Sequence, residues 1–166
     1  MAAADDIERI GKQEATLVFD RFDEAVAFEI GTAIRERALK DGLPVVVDIR
    51  TFDRPLFYAA LPGSSGNNAH WARRKINTVK LLLKSTYRAV LEQNRPDSIF
   101  PPRYGLDMAD YALAGGGFPV AVRNAGVVGV IAVSGLPERD DHNLVVAALC
   151  GYLGKDAEAL ALPAAN

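Results

Sequence analysis

Apolar positions in the first half of the chain follow a helical spacing and then a strand spacing. Over residues 23–42 they recur every three or four positions, between an aspartate that can cap a helix start and a glycine that can end one. An earlier helix is predicted over 5–14. The β-branched run 45–49 and the apolar run 56–61 are separated by a turn-like segment, and together they predict a β-hairpin.

The middle of the chain is predicted to be mostly helical and then irregular. A loop with several chain breakers precedes a long helical stretch at 69–92. Three prolines make 94–105 an extended surface loop. For residues 111–114 the periodicity does not distinguish a short strand from a helix.

The last third predicts a second hairpin and a final helix. Strands are expected at 118–122 and 127–134, around a turn that tolerates positive φ. Asp140 or Asp141 is expected to cap a helix that runs to about residue 153. Two hairpins interleaved with helices predict an α/β (α+β) fold with a mainly antiparallel sheet.

Length and composition indicate one folded domain. The chain has 166 residues, of which 49% are hydrophobic and 24% charged, so a disordered chain is excluded. We assign residues 1–166 to a single domain with short tails at about 1–4 and 156–166. The net charge of -2 argues against a nucleic-acid partner. The apolar run 127–133 is too short to cross a membrane.

The counts of two histidines and one cysteine exclude several metal and redox classes. No zinc finger, iron–sulfur cluster, disulfide framework or histidine-rich metal site can be built from them in one subunit, so no metal site is expected. Cys150 is expected to be a small buried hydrophobe within a helix. A lone cysteine and a charged N-terminus without a signal-peptide pattern predict a cytoplasmic protein.

A basic helix start is the first candidate site. His70, Arg73 or Arg74, and Asn77 share one helix face at spacings of three and four residues. Free N–H groups at the helix start and the arginine charges would suit a carboxylate or phosphate. The alternative is an exposed basic face that binds nothing.

A second candidate site is the loop that leads into the last helix. Ser134 ends an apolar strand, and Asp141 followed by His142 could orient an imidazole or share a proton. Asp48 lies within an apolar strand, where it would pair with a buried cation or cap the hairpin end. Gly116, within a run of three glycines, either allows close backbone approach or forms an open floor beside a ligand.

Haem ligation needs only one or two side chains. Among the donors available in the sequence, His70 and His142 are preferred over Tyr87, Met108 and Cys150.

Four segments carry a resemblance to a known family. Residues 71–77, 116–120 and 129–137, together with the pair 141–142, resemble a bacterial and fungal subfamily of the haem-degrading-domain superfamily, the GlcG, HbpS and PduO C-terminal type. The resemblance covers about residues 5–155. Its most specific part is the strand that ends in Val-Ser-Gly-Leu-Pro, with the Asp-His pair that follows.

The resemblance implies a profilin-like three-layer sandwich, with helices on both faces of the sheet, that assembles as a symmetric homo-oligomer. It also implies haem as a ligand in some relatives. Many members carry a histidine just before the Gly-Gly-x-Phe-Pro segment, where this chain has Ala114. If that histidine served chemistry, its role here is absent or falls to His70 or His142.

Three functions remain, and a cytosolic small-ligand-binding protein is favoured. It would hold haem or another small anionic ligand, with His70, Arg73, Arg74, Asn77, Gly116, Ser134 and His142 as binding residues. The alternative enzyme would use Asp141 and His142 as an acid–base pair and Arg73 or Arg74 to hold an anionic substrate. A scaffold protein would instead use 94–103 and 157–164 as contact segments.

Overall fold

The structure is a computed structural model that describes residues 2–165. The helices are α1 (Ala2–Thr16), α2 (Glu24–Asp41), α3 (Gly66–Leu82), α4 (Thr86–Gln93), α5 (Glu138–Leu153) and α6 (Ala157–Leu160), with a 3-10 turn at Pro102–Tyr104. The strands are β1 (Val18–Phe19), β2 (Val46–Thr51), β3 (Pro55–Ala60), β4 (Gly117–Val122) and β5 (Gly126–Ser134). Within the described residues, no helix is both long and apolar enough to span a membrane.

The predicted caps of α2 are confirmed. The Asp23 side chain accepts a hydrogen bond from the Val26 N–H at 3.0 Å. Gly42 ends the helix with φ 65°, a left-handed conformation that glycine adopts without strain. Local sequence chemistry therefore determines both ends of this helix.

Both predicted hairpins form, and they make up most of one sheet. Strands β2 and β3 pair antiparallel, as do β4 and β5, and β2 joins the hairpins by pairing antiparallel with β5. The strand order is β1-β4-β5-β2-β3, and the short β1 pairs parallel with β4. Asn124 has φ 64° in the second turn, as predicted. The expectation of a mainly antiparallel sheet is confirmed.

The helices cover the two faces of the sheet and give the predicted layered α/β fold. Helices α2 and α5 pack on one face, over the larger core, which includes Phe118 and Ile131. Helix α3 covers the other face, where Ala72, Ile76 and Val79 meet Val46, Val130 and Ala132. Because α3 and α5 lie on opposite faces, their side chains can meet only beyond the end of a strand.

The prediction of one long helix at 69–92 is wrong. Helix α3 begins earlier, at Gly66, with a capping box formed by Ser65 and Asn68. It ends where Leu83 adopts φ 55°. A new helix then begins after Ser85, whose N–H donates to the Glu14 carboxylate of α1 at 2.7 Å. This contact from a distant helix stabilises a break that local periodicity does not reveal.

The start of the last helix also differs from the prediction. Helix α5 begins at Glu138 with Pro137 in the cap position, so neither Asp140 nor Asp141 is its cap. Proline lacks the N–H that a helix start leaves unpaired, and it fits this position without cost. Asp140 is exposed, whereas Asp141 is buried in the first turn of the helix.

Two segments are ordered by contacts rather than by regular structure. Residues 111–114 form neither a strand nor a helix; the backbone of Ala112 exchanges hydrogen bonds with the Thr78 hydroxyl. Near the C-terminus Leu160 and Leu162 are buried, and Leu162 exchanges two backbone–side-chain hydrogen bonds with Asn143 at 3.1 Å. Residues 157–162 therefore pack against the domain.

Candidate functional site

A buried ion pair joins the two helical layers at the end of strand β5. The Lys75 ammonium group, from α3, lies 3.0 Å from Oδ2 of Asp141, from α5. The two side chains are only 4% and 2% exposed. Lys75 Nζ also donates to the Val133 carbonyl at 2.9 Å, so it closes the end of the strand as well.

The Asp141 carboxylate also anchors the loop between β5 and α5. It accepts hydrogen bonds from the Leu136 N–H at 3.0 Å and from the Gly135 N–H at 3.4 Å. Backbone donors and a charge partner on one carboxylate are the compensation that a buried charge requires. The backbone N–H groups of this loop thus attach it to the ion pair.

Burial moves the pKa values of the pair towards each other. Loss of hydration raises the pKa of Asp141 to about 6, although Lys75 and the loop N–H groups act in the opposite direction. Burial also lowers the pKa of Lys75, against the attraction of Asp141. These directions are expected where desolvation outweighs the attraction between the charges.

A cavity of about 250 Å³ lies beside this ion pair. Helix α3 supplies one wall, and the segment between β5 and α5 supplies another. Its lining is mixed polar and apolar: Asn67, Asn68, Trp71, Lys75, Ala114, Ser134, Gly135, Leu136, Glu138 and Asp141. The Glu138 carboxylate accepts the Gly115 N–H at 3.1 Å at the edge of this region. Three ionisable side chains, two amide groups and a hydroxyl group therefore line one small cavity together with an indole ring.

Gly116 supports the ion pair rather than lining the cavity. Its φ is 126°, and a Cβ there would lie 2.3 Å from the Val133 oxygen and 2.8 Å from Lys75 Nζ. Any side chain would displace the lysine. Of the two roles considered for Gly116, the geometry supports close backbone approach.

The predicted basic face of α3 binds a loop of the same chain. Arg73 donates to the Ala109 carbonyl at 2.8 Å, and Arg74 donates to the Tyr111 carbonyl at 3.2 Å. Asn77 donates to the Asp110 carbonyl at 2.8 Å. These three side chains fasten segment 109–111 to the helix, and they do not line the cavity. His70 is exposed on the same helix and does not line the cavity either.

His142 is buried in the core, 1% exposed, with Gln13 as its partner. The Gln13 amide donates to the Leu160 carbonyl at 2.7 Å, so its oxygen must accept from His142 Nε2, 2.8 Å away. Nδ1 is then the unprotonated nitrogen, and no partner for it is found in the described structure. Burial lowers the pKa of His142 to about 3, and the ring is neutral at physiological pH.

Asp141 and His142 therefore serve different parts of the molecule. Asp141 binds Lys75 at the cavity, whereas His142 binds Gln13 and lies beside the rings of Tyr87 and Phe118. The two side chains do not form the hydrogen-bonded pair that their adjacency suggested. Neither His70 nor His142 lines this cavity, so a ligand in it would contact neither ring.

Two other predicted positions have structural roles. Asp48 is buried and accepts from the half-buried Arg50 at 2.8 Å, so it pairs with a cation on its own strand. Cys150 is buried, as predicted, and burial raises its pKa. Within residues 2–165, no three histidine, cysteine or acidic side chains cluster as a metal site would require.

Sequence reasoning placed Ser134 and Asp141 at the site but missed Lys75. The missed signal lies in the spacing of α3. Lys75 falls on the same stripe as the buried Ala72, Ile76 and Val79, where only apolar residues are expected. A lysine on the core face of an amphipathic helix indicates a buried partner. Trp71, Asn68 and Glu138 carried no comparable signal.

A five-stranded sheet between helical layers, with a small polar cavity at the end of β5, defines a layered α/β fold. Residues 22–150 match the family described as haem degrading protein HbpS-like. The chain therefore belongs to the HbpS-like haem-degrading family, as its resemblance implied.

Related sequences span nearly the whole chain. A UPF0303 protein of Mesorhizobium japonicum is 65% identical over 162 residues, covering 98% of this chain and 97% of that protein. A UPF0303 protein of Brucella melitensis is 53% identical over 169 residues, covering 99% of this chain and all of that protein.

Solved structures share the fold at lower identity. The Ybr137w protein superposes with a TM-score of 0.81 at 24% identity, covering 89% of this chain and 87% of that chain. HbpS has a TM-score of 0.63 at 22% identity over 81% and 91% of the two chains. A PduOC:heme complex has a TM-score of 0.64 at 19% identity over 80% and 94%. These similarities establish the fold.

Haem is the group that the family name implies, and the cavity does not fit its ligation. The residues that line the cavity include no histidine, cysteine, methionine or tyrosine, the side chains that commonly hold haem iron. Ala114, the position where the family resemblance implied a histidine, is one of the lining residues. The cavity volume of about 250 Å³ is also below the range usual for pockets that bury drug-sized ligands.

Proposed function

We propose that the protein is a small-ligand-binding protein whose ligand is a polar molecule smaller than haem, held beside the Lys75–Asp141 pair. The observation that carries this proposal is a buried ion pair that lines a cavity. Replacing a buried pair by apolar residues is often neutral or stabilising, so stability alone is a weak reason to keep one. A ligand that uses the pair provides a stronger reason.

The remaining hydrogen-bond capacity of Lys75 indicates what the ligand carries. An ammonium group has three donors. Asp141 and the Val133 carbonyl accept two of them, which leaves one for a ligand oxygen. The Trp71 indole also lines the cavity, and the Arg74 guanidinium lies 4.4 Å from its ring centroid. A carbonyl or amide group attached to a small flat body fits these features.

The charge of the cavity favours a neutral ligand over an anion. Lys75 and Asp141 neutralise each other, and Glu138 adds a negative charge to the lining. Arg73 and Arg74, on which the anionic ligand of the sequence prediction depended, are bound to segment 109–111. An anion in the cavity would meet the repulsion of Glu138, whereas the Arg74 guanidinium stacks on the Trp71 ring at 4.4 Å and does not itself line the cavity.

Fluorescence of Trp71 tests this proposal, because Trp71 is the single tryptophan of the chain and lines the cavity. Benzamide and benzoate serve as probes, since they share one shape and differ in charge. We expect a saturable change with benzamide and a weaker one with benzoate. Tighter binding of benzoate would contradict the neutral ligand, and no saturation with either would contradict the proposed chemistry.

The matched variants are Lys75→Met/Asp141→Asn and Lys80→Met. The first removes both buried charges together and should abolish the benzamide response. The second removes a lysine on the same helix that binds the Phe52 carbonyl outside the cavity, and it should leave the response unchanged. Equal responses in the two variants would contradict binding at the ion pair.

Titration with haem separates this proposal from the haem alternative. We expect no Soret shift that depends on Lys75 or Asp141. A Soret shift that is lost in His70→Ala, and kept in the Lys75→Met/Asp141→Asn variant, would place haem at the exposed histidine and contradict a ligand smaller than haem. A shift lost in His142→Ala would instead require the core around His142 to open.

A further inference from the structure

Lys75 differs from the other lysines of the chain in its surroundings. Of the lysines within residues 2–165, only Lys75 is buried, and its side chain lines the cavity. Its nitrogen uses two of its three hydrogen-bonding directions on Asp141 and on the Val133 carbonyl. The third direction is unused, so the nitrogen is within reach of a molecule in the cavity.

The Asp141 carboxyl group is fixed independently of the lysine. Its Oδ1 accepts from the Leu136 N–H at 3.0 Å, and its Oδ2 accepts from the Gly135 N–H at 3.4 Å. These loop bonds keep Oδ2 beside Lys75 Nζ, 3.0 Å away, when the bonds of the nitrogen change. Burial raises the pKa of Asp141 to about 6, so this group can take up and release a proton near neutral pH.

Burial favours the uncharged form of both partners. It lowers the pKa of Lys75, and a proton that moves from Nζ to Oδ2 leaves a neutral amine beside a neutral acid. Glu138, the other acidic residue of the cavity lining, acts against the loss of the lysine proton. A neutral amine is a nucleophile, and desolvated lysines form imines with carbonyl compounds.

We propose that Lys75 binds a small aldehyde or ketone covalently and reversibly, as an imine, in the cavity beside Asp141. This inference rests on the proposed function, and it narrows the carbonyl ligand proposed there to an electrophilic one. An amide accepts the same hydrogen bond from Lys75, but its carbonyl carbon is too unreactive to form an imine.

The two side chains supply every proton that the reaction needs. A proton moves from Nζ to Asp141, the nitrogen lone pair forms a C–N bond, and the carbonyl oxygen takes the proton from Asp141 as its π bond breaks. The new C–NH2+ group returns a proton to Asp141. Asp141 passes this proton to the hydroxyl group, which leaves as water while the nitrogen lone pair forms the C=N bond. The product is an iminium ion with ionised Asp141 beside it, and no oxidant or reductant is consumed.

The surroundings of Lys75 fit this product. The iminium nitrogen keeps its positive charge, so the buried Asp141 carboxylate stays paired. Its single N–H remains with Asp141, because a charged acceptor binds more strongly than a carbonyl, and Val133 loses its lysine donor. A Cβ at Gly116 would lie 2.8 Å from Nζ, so the glycine leaves the nitrogen uncrowded.

Reductive trapping tests the inference on the wild-type protein. Benzaldehyde has the flat ring of benzamide, and sodium cyanoborohydride converts an iminium ion into a stable benzylamine. At pH 7 an ordinary lysine, with a pKa near 10.4, is neutral in about one molecule in 2,500, and each unit by which the pKa falls raises this fraction about tenfold. With limiting benzaldehyde, peptide mass spectrometry should find about tenfold or more benzyl label on Lys75 than on Lys80, which lies on the same helix outside the cavity.

A matched pair of variants tests the role of Asp141. Asp141→Asn removes the proton carrier and the counter-ion, and it should reduce the label on Lys75 by about tenfold or more. Asp140→Asn changes the exposed neighbour, which does not line the cavity, and it should leave the label unchanged. Circular dichroism checks that both variants are folded.

Equal label on Lys75 and Lys80 in the wild-type protein would overturn the imine. Full label in folded Asp141→Asn would overturn the proton transfer through Asp141. If Trp71 still responded to benzamide in either case, the proposed function would stand while this inference failed. Selective label on Lys75 without a benzamide response would support the imine and contradict the hydrogen-bonded neutral ligand, so the two failures are distinguishable.

Discussion

Asp141 and His142 are neighbours in α5, and each is only 1% exposed. Their side chains nevertheless lie in different surroundings. Asp141 faces a charged lysine, two backbone donors and a cavity. His142 faces an amide oxygen and two aromatic rings in the closed core. The first position keeps charged groups beside a cavity, whereas the second keeps a neutral ring inside the domain.

The difference shows that burial of a polar side chain does not by itself indicate function. Contact with a cavity distinguishes the two positions, because hydrogen-bond capacity is left unused at both. Lys75 has a donor to spare beside the cavity, while His142 has an unpaired acceptor in a place that no described cavity reaches. Four substitutions can break or sharpen this contrast.

Lys75→Met should have the largest effect on stability. It leaves the Asp141 carboxylate buried without its cation, which costs about 3–5 kcal/mol in comparable cases. Urea unfolding at pH 7.5 measures this loss. The loss should shrink at pH 5, because Asp141, without the lysine that lowers its pKa, is then protonated in the folded state. Lys80→Met is the control, and an equal loss there would contradict the role given to the pair.

His142 should make the folded state sensitive to acid. Its folded pKa of about 3 lies below the unfolded value of 6.5, so the unfolded chain binds the proton first as the pH falls. This contribution to stability is complete above pH 6.5 and is lost progressively towards pH 3. Between pH 6.5 and pH 4 the loss is about 3 kcal/mol.

Asp141 acts in the opposite direction, because its folded pKa of about 6 lies above its unfolded value. The folded state gains a proton first as the pH falls through 6, which offsets part of the loss from His142. The comparison of wild type with His142→Gln isolates the histidine, since the glutamine amide keeps a donor for Gln13. If the unfolding free energies of the two proteins vary with pH in parallel, the pKa of His142 is not lowered in the folded state.

Gln13→Leu should cost about 1–3 kcal/mol, because it leaves the buried His142 Nε2–H and the Leu160 carbonyl without their partner. It should leave the Trp71 response to benzamide unchanged, since Gln13 does not line the cavity. Urea unfolding and the fluorescence titration together check both parts. If a folded Gln13→Leu variant lost the benzamide response, the core around His142 would be coupled to the cavity, and the contrast between Asp141 and His142 would not hold.

Arg73→Ala should have the smallest effect, less than about 1 kcal/mol, because its ion pair with Asp110 is exposed. Its contact with segment 109–111 is shared with Arg74 and Asn77. Thermal unfolding measures the change, and haem and benzoate titrations show whether the arginine binds an anion after all. A clear loss of benzoate affinity would restore the anionic site that the sequence predicted.

Much of the fold was predictable because its signals are local. The caps of α2 and the left-handed turn at Asn124 depend on residues that lie within a few positions of each other. The break between α3 and α4 was not predictable, since it depends on Glu14 of α1 reaching Ser85 across the domain. The cap at Pro137 was missed because two aspartates nearby carried a stronger capping signal.

The candidate site was predictable only in part. The loop with Ser134 and Asp141 was found from residue types at the end of an apolar strand, and both residues line the cavity. The basic face of α3 was also recognised, but its arginines were assigned to a ligand, whereas they bind a segment 36–37 residues away in the chain. The type of a polar residue indicates that its side chain needs a hydrogen-bond or ion-pair partner, but it does not identify that partner.

The sequence by itself determined helix α2, both hairpins and the mainly antiparallel sheet, because periodicity, caps and turn residues act over short distances. It also indicated the family, through short motifs. Only the tertiary structure decided that Lys75 meets Asp141, that His142 meets Gln13, and that β3 is left at an open edge. Those outcomes depend on which face each helix covers and on the order of the strands. Such contacts join residues from 66 to 129 positions apart, and no local pattern encodes them.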